Sequence, residues 1–393
     1  MLLSQYLYQI KKNDWTLIIA SLFLSFFGLA AIYSVALGQG QGEFLNFKKQ
    51  VVWLLVGLAV LYVVANINYH HWRRLGWWGY WLGLLLLILV LTPLGSTIRG
   101  ARGWFSLGFL NFQPVELMKI FLLIVLADVY RQYVRTIHKF SQLILIGLIV
   151  CLPLILVVIQ PDFGSAMILF FTWLIPCLFI IKNKWHIVMI FAGMISLLLI
   201  SWFFIFADYQ KDRIRIFLNP AADPLFRGYN VRQSIIAVGS GGLLGKGLGF
   251  GSQSQLKFIP ESQTDFIFAV IAEELGFVGV LLIVGFFFLV FYRLAAIARN
   301  APDDFGMFLS LLVLTLIFVQ VFINIGMGMG LLPVTGISLP FVSYGGSFLI
   351  TIFILVGLAL SVYRAGAISR RCDLTLYFSW PIIELQVNFY ARY

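Results

Sequence analysis

The chain has 393 residues, of which 61% are hydrophobic and 11% charged, with a formal net charge of +11. Soluble domains carry about 25% charged residues, so a water-soluble fold, which could not cover this much apolar surface, is excluded. The basic excess falls in short breaks between apolar runs, so it reports membrane topology and not nucleic-acid binding.

At roughly 20 residues per crossing, about ten apolar runs are long enough to span a bilayer. In chain order they lie at Thr16–Leu37, Gln50–Ile67, Leu75–Gly95, Pro114–Tyr130, Ser141–Ile159, Phe163–Ile181, Trp185–Ala207, Asp265–Tyr292, Phe305–Gly330 and Phe341–Tyr363. The first is too long for the apolar core of a signal peptide and reads as an anchor that stays. Lipid offers no partner to an open backbone, so the spans are helical. The expected fold class is an all-α integral membrane protein with about ten transmembrane helices. Aromatic residues, 17% of the chain, suit the membrane–water interfaces.

With the N-terminus in the cytoplasm, the inner segments hold Lys11, Lys12, Arg73, Arg74, Arg131, Arg135, Lys139, Lys182, Lys184, Arg293, Arg299, Arg364, Arg370, Arg371 and Arg392. The short outer loops hold only Lys48, Lys49, Arg99 and Arg102. That bias puts both termini in the cytoplasm.

One long loop, Asp208–Gln263, separates the seventh and eighth spans and falls outside. Loops of this length without a span are usually functional or disordered. Its apolar residues Ile214, Ile216, Phe217, Leu225 and Phe226 and the stretch Ser234–Val238 lead us to expect short amphipathic helices folded back on the membrane surface. Residues 1–366 thus read as one polytopic domain carrying the loop 208–263. Residues 367–393 form a cytoplasmic tail of no assigned role, whose apolar stretch Leu374–Ile383 is too short to span. Cys151 and Cys177 lie in apolar runs and Cys372 in the tail, so no disulfide framework is implied.

Ionisable residues inside spans are costly and suggest function. Glu116 and Lys119, at i,i+3 in the fourth span, share a helix face. They read equally as a structural ion pair or as the wall of a substrate cavity. Glu273 and Glu274, adjacent in the eighth span, point about 100° apart, so at most one faces a cavity. Gln320 and Asn324, at i,i+4 in the ninth, read as interhelical hydrogen-bond glue. Asp265 opens the eighth span directly after the long loop, and position alone favours a helix cap there.

The Gly-rich run Gly239–Gly251 is not a phosphate cradle. Lys246 is followed by Gly247 where a P-loop needs Ser or Thr, and Phe250 occupies the third Gly position of a dinucleotide fingerprint. It reads as a tight backbone feature that lets the loop return to the membrane. No Cys/His pattern marks a metal site.

Taken together, the loop motifs are specific. Asn219-Pro-Ala-Ala-Asp-Pro-Leu-Phe-Arg-Gly-Tyr229, Gln233-Ser234, Gly239-Ser-Gly-Gly242, Pro260-Glu261, Thr264-Asp-Phe-Ile-Phe-Ala-Val270 and Glu273-Glu-Leu-Gly276 resemble the SEDS family (shape, elongation, division and sporulation). So do Gly330-Leu-Leu-Pro-Val-Thr-Gly336, Leu339-Pro-Phe-Val-Ser-Tyr-Gly-Gly-Ser347, Gln160-Pro-Asp-Phe-Gly-Ser165, and Trp104 with Gln113-Pro-Val-Glu116 and Lys119. The short N-terminus and Asn324-Ile-Gly-Met327 resemble the elongation branch more than the division branch. The chain departs from the family at Gln263, usually His, at Val115, commonly Ser, and at Phe348, also commonly Ser.

The resemblance implies a peptidoglycan glycosyltransferase of the bacterial inner membrane acting on lipid II, a disaccharide-pentapeptide on undecaprenyl pyrophosphate. It implies a class B penicillin-binding protein, a transpeptidase, as partner. The family's critical carboxylate falls on Asp265, a general base for the acceptor hydroxyl. Trp104, Glu116, Lys119 and Glu261 join it as substrate-binding candidates. The leaving pyrophosphate calls for cations, for which Arg99, Arg102, Arg213, Arg215, Arg227 and Lys246 are candidates, with a divalent cation (Mg or Mn) able to share the role. A lipid II flippase is the alternative function, and a scaffold that only recruits the transpeptidase a weaker third.

Overall fold

The computed structural model describes residues 13–39, 41–98, 100–108, 110–133, 140–181, 183–200, 203, 208–218 and 227–367. Helices stand at each predicted span: α1 Trp15–Gln39, α2 Gln41–Asn66, α3 Tyr69–Leu89, α4 Pro114–Tyr133, α5 Phe140–Ile159, α6 Phe163–Ile180 and α7 Lys184–Ile200. After the shorter α8 Asp208–Leu218, α9 Arg227–Ser240 and α10 Ser252–Gln255 come α11 Ile267–Arg299, α12 Asp304–Gly328 and α13 Gly346–Ala367. Among the described residues seven helices are long and apolar enough to cross a membrane, namely α1, α2, α5, α6, α11, α12 and α13.

Of the other helices at predicted spans, α7 is described over only 17 residues, while α3 and α4 carry charge. In α4, Glu116, Lys119 and Asp128 are buried, as is almost every residue from Pro114 to Tyr130. Its polar groups therefore face protein and not lipid, which is how a membrane protein tolerates them. Gly76, Gly79 and Gly83 of α3 form a flat stripe that lets α4 approach; a Cβ at Gly79 would run into the Phe121 ring. Leu55, Leu148 and Phe288 are among many exposed apolar side chains on the outer faces of the helices, suited to lipid.

A small sheet supplements the expected helices. β1 Ser96–Ile98, β2 Ala101–Leu107 and β3 Leu110–Phe112 pair antiparallel in the order β1-β2-β3, with Ser96 opposite Trp104 and Phe105 opposite Phe112. The Ser96 hydroxyl donates to the Trp104 carbonyl at 2.9 Å. Strands this short leave little alternation to read in the sequence.

The long loop departs further from expectation. Short helices are present, but the Gly-rich run is inserted beside α11 instead of lying flat. α11 breaks at Gly276, whose φ of 64° and ψ of −162° suit glycine alone. The break exposes backbone groups roughly 14 Å along the helix, where lipid could not satisfy them. The loop does so instead. Lys246 and Gly247 donate their N–H groups to the Glu273 and Glu274 carbonyls at 3.0 and 2.9 Å. Phe277 and Val278 donate to the Gly242 and Leu243 carbonyls at 2.9 and 3.1 Å.

Candidate active site

Asp265 is not the cap of α11. The helix begins at Ile267 with Phe266 in the cap position, and the Phe266 side chain makes no cap hydrogen bond. The aspartate lies one residue before the cap, in a turn closed by the Thr264 and Phe266 N–H groups donating to the Glu261 carbonyl at 3.1 and 3.3 Å. The cap position thus falls on Phe266 and not on Asp265, which corrects the positional reading.

Neighbouring elements hold this turn in place. Asn324 of α12 donates its Nδ2 to the Asp265 carbonyl at 3.0 Å and to the Ile337 carbonyl at 2.7 Å. The buried Ser343 hydroxyl donates to the Thr264 carbonyl at 2.6 Å and accepts from the Leu339 N–H at 2.8 Å. Gln50 of α2 grips the same loop, donating to the Ser343 carbonyl at 3.1 Å and accepting from the Gly345 N–H at 3.2 Å. Gln263 accepts from Asn46 Nδ2 at 3.2 Å. Motifs far apart in sequence thus converge to fix the backbone on either side of one carboxylate.

Asp265 lines a cavity of about 540 Å³ together with Trp104 of β2, Glu116 and Lys119 of α4, and Gln320 of α12. Lys49, Trp53, Asp162, Ser165, Tyr344 and Ser347 also line it. Glu116 and Lys119 bond at 2.7 Å with both side chains buried, so they are an ion pair and a cavity wall at once. Glu116 Oε2 has no partner among the described residues. Asp162 caps α6, accepting from the Ser165 N–H at 2.9 Å and hydroxyl at 2.7 Å.

The proposed cations divide. Arg99 and the side chains of Arg213 and Arg227 lie outside the described residues. Arg102 donates to the Gly95 carbonyl at 3.3 Å, and the exposed Arg215 pairs with Asp212 at 3.1 Å. Neither is in the cavity wall. Lys246 is held at 2.8 Å by Glu273 on the inserted loop, away from the cavity lining, because that carboxylate needs a counter-charge inside the helix layer. Glu261 also stays out of the lining; its φ is 56° and it accepts from the Thr264 hydroxyl at 3.1 Å. Neither acid of the adjacent pair faces the cavity. Glu273 accepts from the Gln253 and Ser254 N–H groups at 2.9 and 3.1 Å, and Glu274 from the Ser34 hydroxyl at 2.6 Å. Among the described residues, Lys49 and Lys119 are the cations that line the cavity. Sequence reasoning passed over Lys49, which looked like an ordinary rim charge.

Comparison with known proteins places these features. Residues 14–367 match the model of a cell cycle protein family that takes in FtsW, RodA and SpoVE. The chain is 36% identical over 363 residues to the peptidoglycan glycosyltransferase MrdB of Escherichia coli (strain K12), covering 90% of this chain and 96% of that relative. Its fold is similar to a chain of a structure described as the structural coordination of polymerization and crosslinking by a peptidoglycan synthase complex. The TM-score is 0.76 and the identity 33%, over 90% of this chain and 98% of the other. It is also similar to the crystal structure of the rod shape determining protein RodA of Thermus thermophilus, with a TM-score of 0.67 and 30% identity over 90% and 97% of the two chains.

Proposed function

The chain belongs to the cell cycle protein family of FtsW, RodA and SpoVE, and from that premise we propose that lipid II is polymerised into glycan strands in the cavity at Asp265. The protein is a multi-pass membrane protein and a peptidoglycan glycosyltransferase. Its role on this reading is in cell elongation and shape, which fits its likeness to MrdB and RodA. Its partner is a class B penicillin-binding protein that cross-links the strands, in keeping with the synthase complex it resembles. We place it in the bacterial inner membrane with both termini cytoplasmic, on the charge bias of its connections.

Asp265 takes the proton from the acceptor sugar's hydroxyl as that oxygen attacks the donor's anomeric carbon. The new glycosidic bond forms as the bond to undecaprenyl pyrophosphate breaks, and the leaving group departs as an anion. Among the described residues, Lys49 is the cavity cation free to meet that charge, since Lys119 is already bound by Glu116. A divalent cation sharing this role would draw ligands from the pyrophosphate, and among the described residues there is no group of three or more His, Cys, Asp and Glu side chains to hold one. The single observation that carries the assignment is that Asp265, in a turn whose backbone is fixed by Asn324, lines the cavity.

The flippase reading has one structural feature in its favour, the broken helix α11, since transporters place substrate at such breaks. Here the freed groups are taken by the chain's own loop, which leaves no substrate site at the break. Purified protein, with and without its partner, given labelled lipid II separates the readings. A glycan ladder is the expected product; translocation of lipid II across vesicles without any ladder would favour the transporter.

A further inference from the structure

We infer that Gln320 recognises the acetamido group of the sugar, a role that rests on this cavity being the site of glycosyl transfer. Gln320 lines the cavity with Asp265, Glu116 and Lys119. It is 0% exposed, yet neither its Nε2 nor its Oε1 has a partner among the described residues. A buried amide left unpaired is destabilising, and native proteins rarely keep one without a use for it. Interhelical glue does not explain it. Asn324, one turn along α12, does act as glue through the Asp265 and Ile337 carbonyls, whereas among the described residues Gln320 bonds to no helix.

The chemistry of the ligand follows from what the side chain offers. A carboxamide presents a donor and an acceptor side by side. A phosphate oxygen accepts only, so it would leave Oε1 unpaired. A secondary amide is trans, with its N–H and carbonyl pointing apart, so its N–H can meet the Oε1 of the glutamine while a hydroxyl on the neighbouring ring carbon, which accepts as well as donates, meets the Nε2. The sugars of peptidoglycan carry this group as acetamido substituents. Ile168, Ile337 and Phe348 in the same wall suit the acetyl methyl. Depth agrees as well: α12 runs outward from its cap at Asp303, so Gln320 lies roughly 6 Å deeper than Asn324. A substituent projecting below the reacting hydroxyl would reach it.

The test replaces Gln320 by Met, close in volume and without the amide, and by Leu as a second apolar variant. Each is assayed on native lipid II and on two analogues, in which the acetamido group of one or the other sugar is replaced by hydroxyl and the stem peptide is kept. Wild type should lose on the order of 10–100-fold in kcat/KM on one analogue. Gln320→Met should lose a similar factor on native lipid II but little further on that same analogue. Because no protein hydrogen bond is removed, both variants should melt no lower than wild type. Equal losses by Gln320→Met on native substrate and on both analogues would overturn the acetamido assignment, as would undiminished activity on native lipid II. A wild-type protein that forms no strands from native lipid II would instead refute glycosyl transfer itself.

Discussion

Glu116 and Lys119 show how much one spacing conveys. Their i,i+3 separation placed them on one face, and they bond at 2.7 Å with side-chain exposures of 6% and 2%. Removing one partner strands a charge among buried residues, which should cost about 3–5 kcal/mol. Glu116→Gln and Lys119→Met should therefore each melt well below wild type. The double variant should recover much of that stability without recovering polymerisation. Three equal melting temperatures would contradict a buried pair. What the spacing could not convey is that this pair also lines the cavity, because the opposing wall comes from α12 and from the loop before α13. Gln320 and Asn324 make the same point. They share a face of one helix and look alike in sequence, but only Asn324 has carbonyls within reach.

Among the elements, α11 is the most informative. Its apolar run was plain in the sequence, but its break was not, because Gly is common in membrane helices. The break depends on backbone bonds to a loop about thirty residues away, and hydrophobic periodicity carries no trace of such bonds. A Cβ at Gly276 would collide with the Gly245 and Leu243 backbone, and the φ of 64° would itself cost about 1–3 kcal/mol. Gly276→Ala should thus lower the melting temperature and open the Gly-rich loop to proteolysis, whereas Gly285→Ala, where a Cβ meets nothing within 4 Å, should do neither. Equal melting of the two variants would remove the break from the account. The start of α3 was hidden for a related reason. Its first turns are polar, so the apolar run begins only at Leu75, yet the helix begins at Tyr69. Asn68 accepts from the His70 N–H at 3.0 Å, and Arg73 bonds Asp128 of α4 at 2.6 Å. Those partners belong to the fold and not to the local sequence.

For the molecule as a whole, composition alone decided the membrane setting, and the distribution of Lys and Arg decided the orientation proposed for it. That orientation puts the sheet outside and the α11–α12 turn inside. In a background lacking Cys151, Cys177 and Cys372, cysteine at the exposed Ser106 should react with an impermeant thiol reagent on intact cells, and cysteine at the exposed Asn300 should not; the opposite pattern would invert the topology. The sheet was beyond sequence reasoning because its strands are too short to show alternation, and the cavity because its wall is drawn from many separate elements. Their joint consequence is a single carboxylate held for proton transfer, and the measurement closest to it uses Asp265→Asn. Asparagine keeps the size of the side chain and one acceptor oxygen but is not basic near neutral pH. Purified Asp265→Asn protein, with its transpeptidase partner and labelled lipid II, should melt like wild type, bind the partner, and form glycan strands about 10²–10⁴-fold more slowly. Strands formed at a rate near wild type would contradict the assignment of Asp265 as the base.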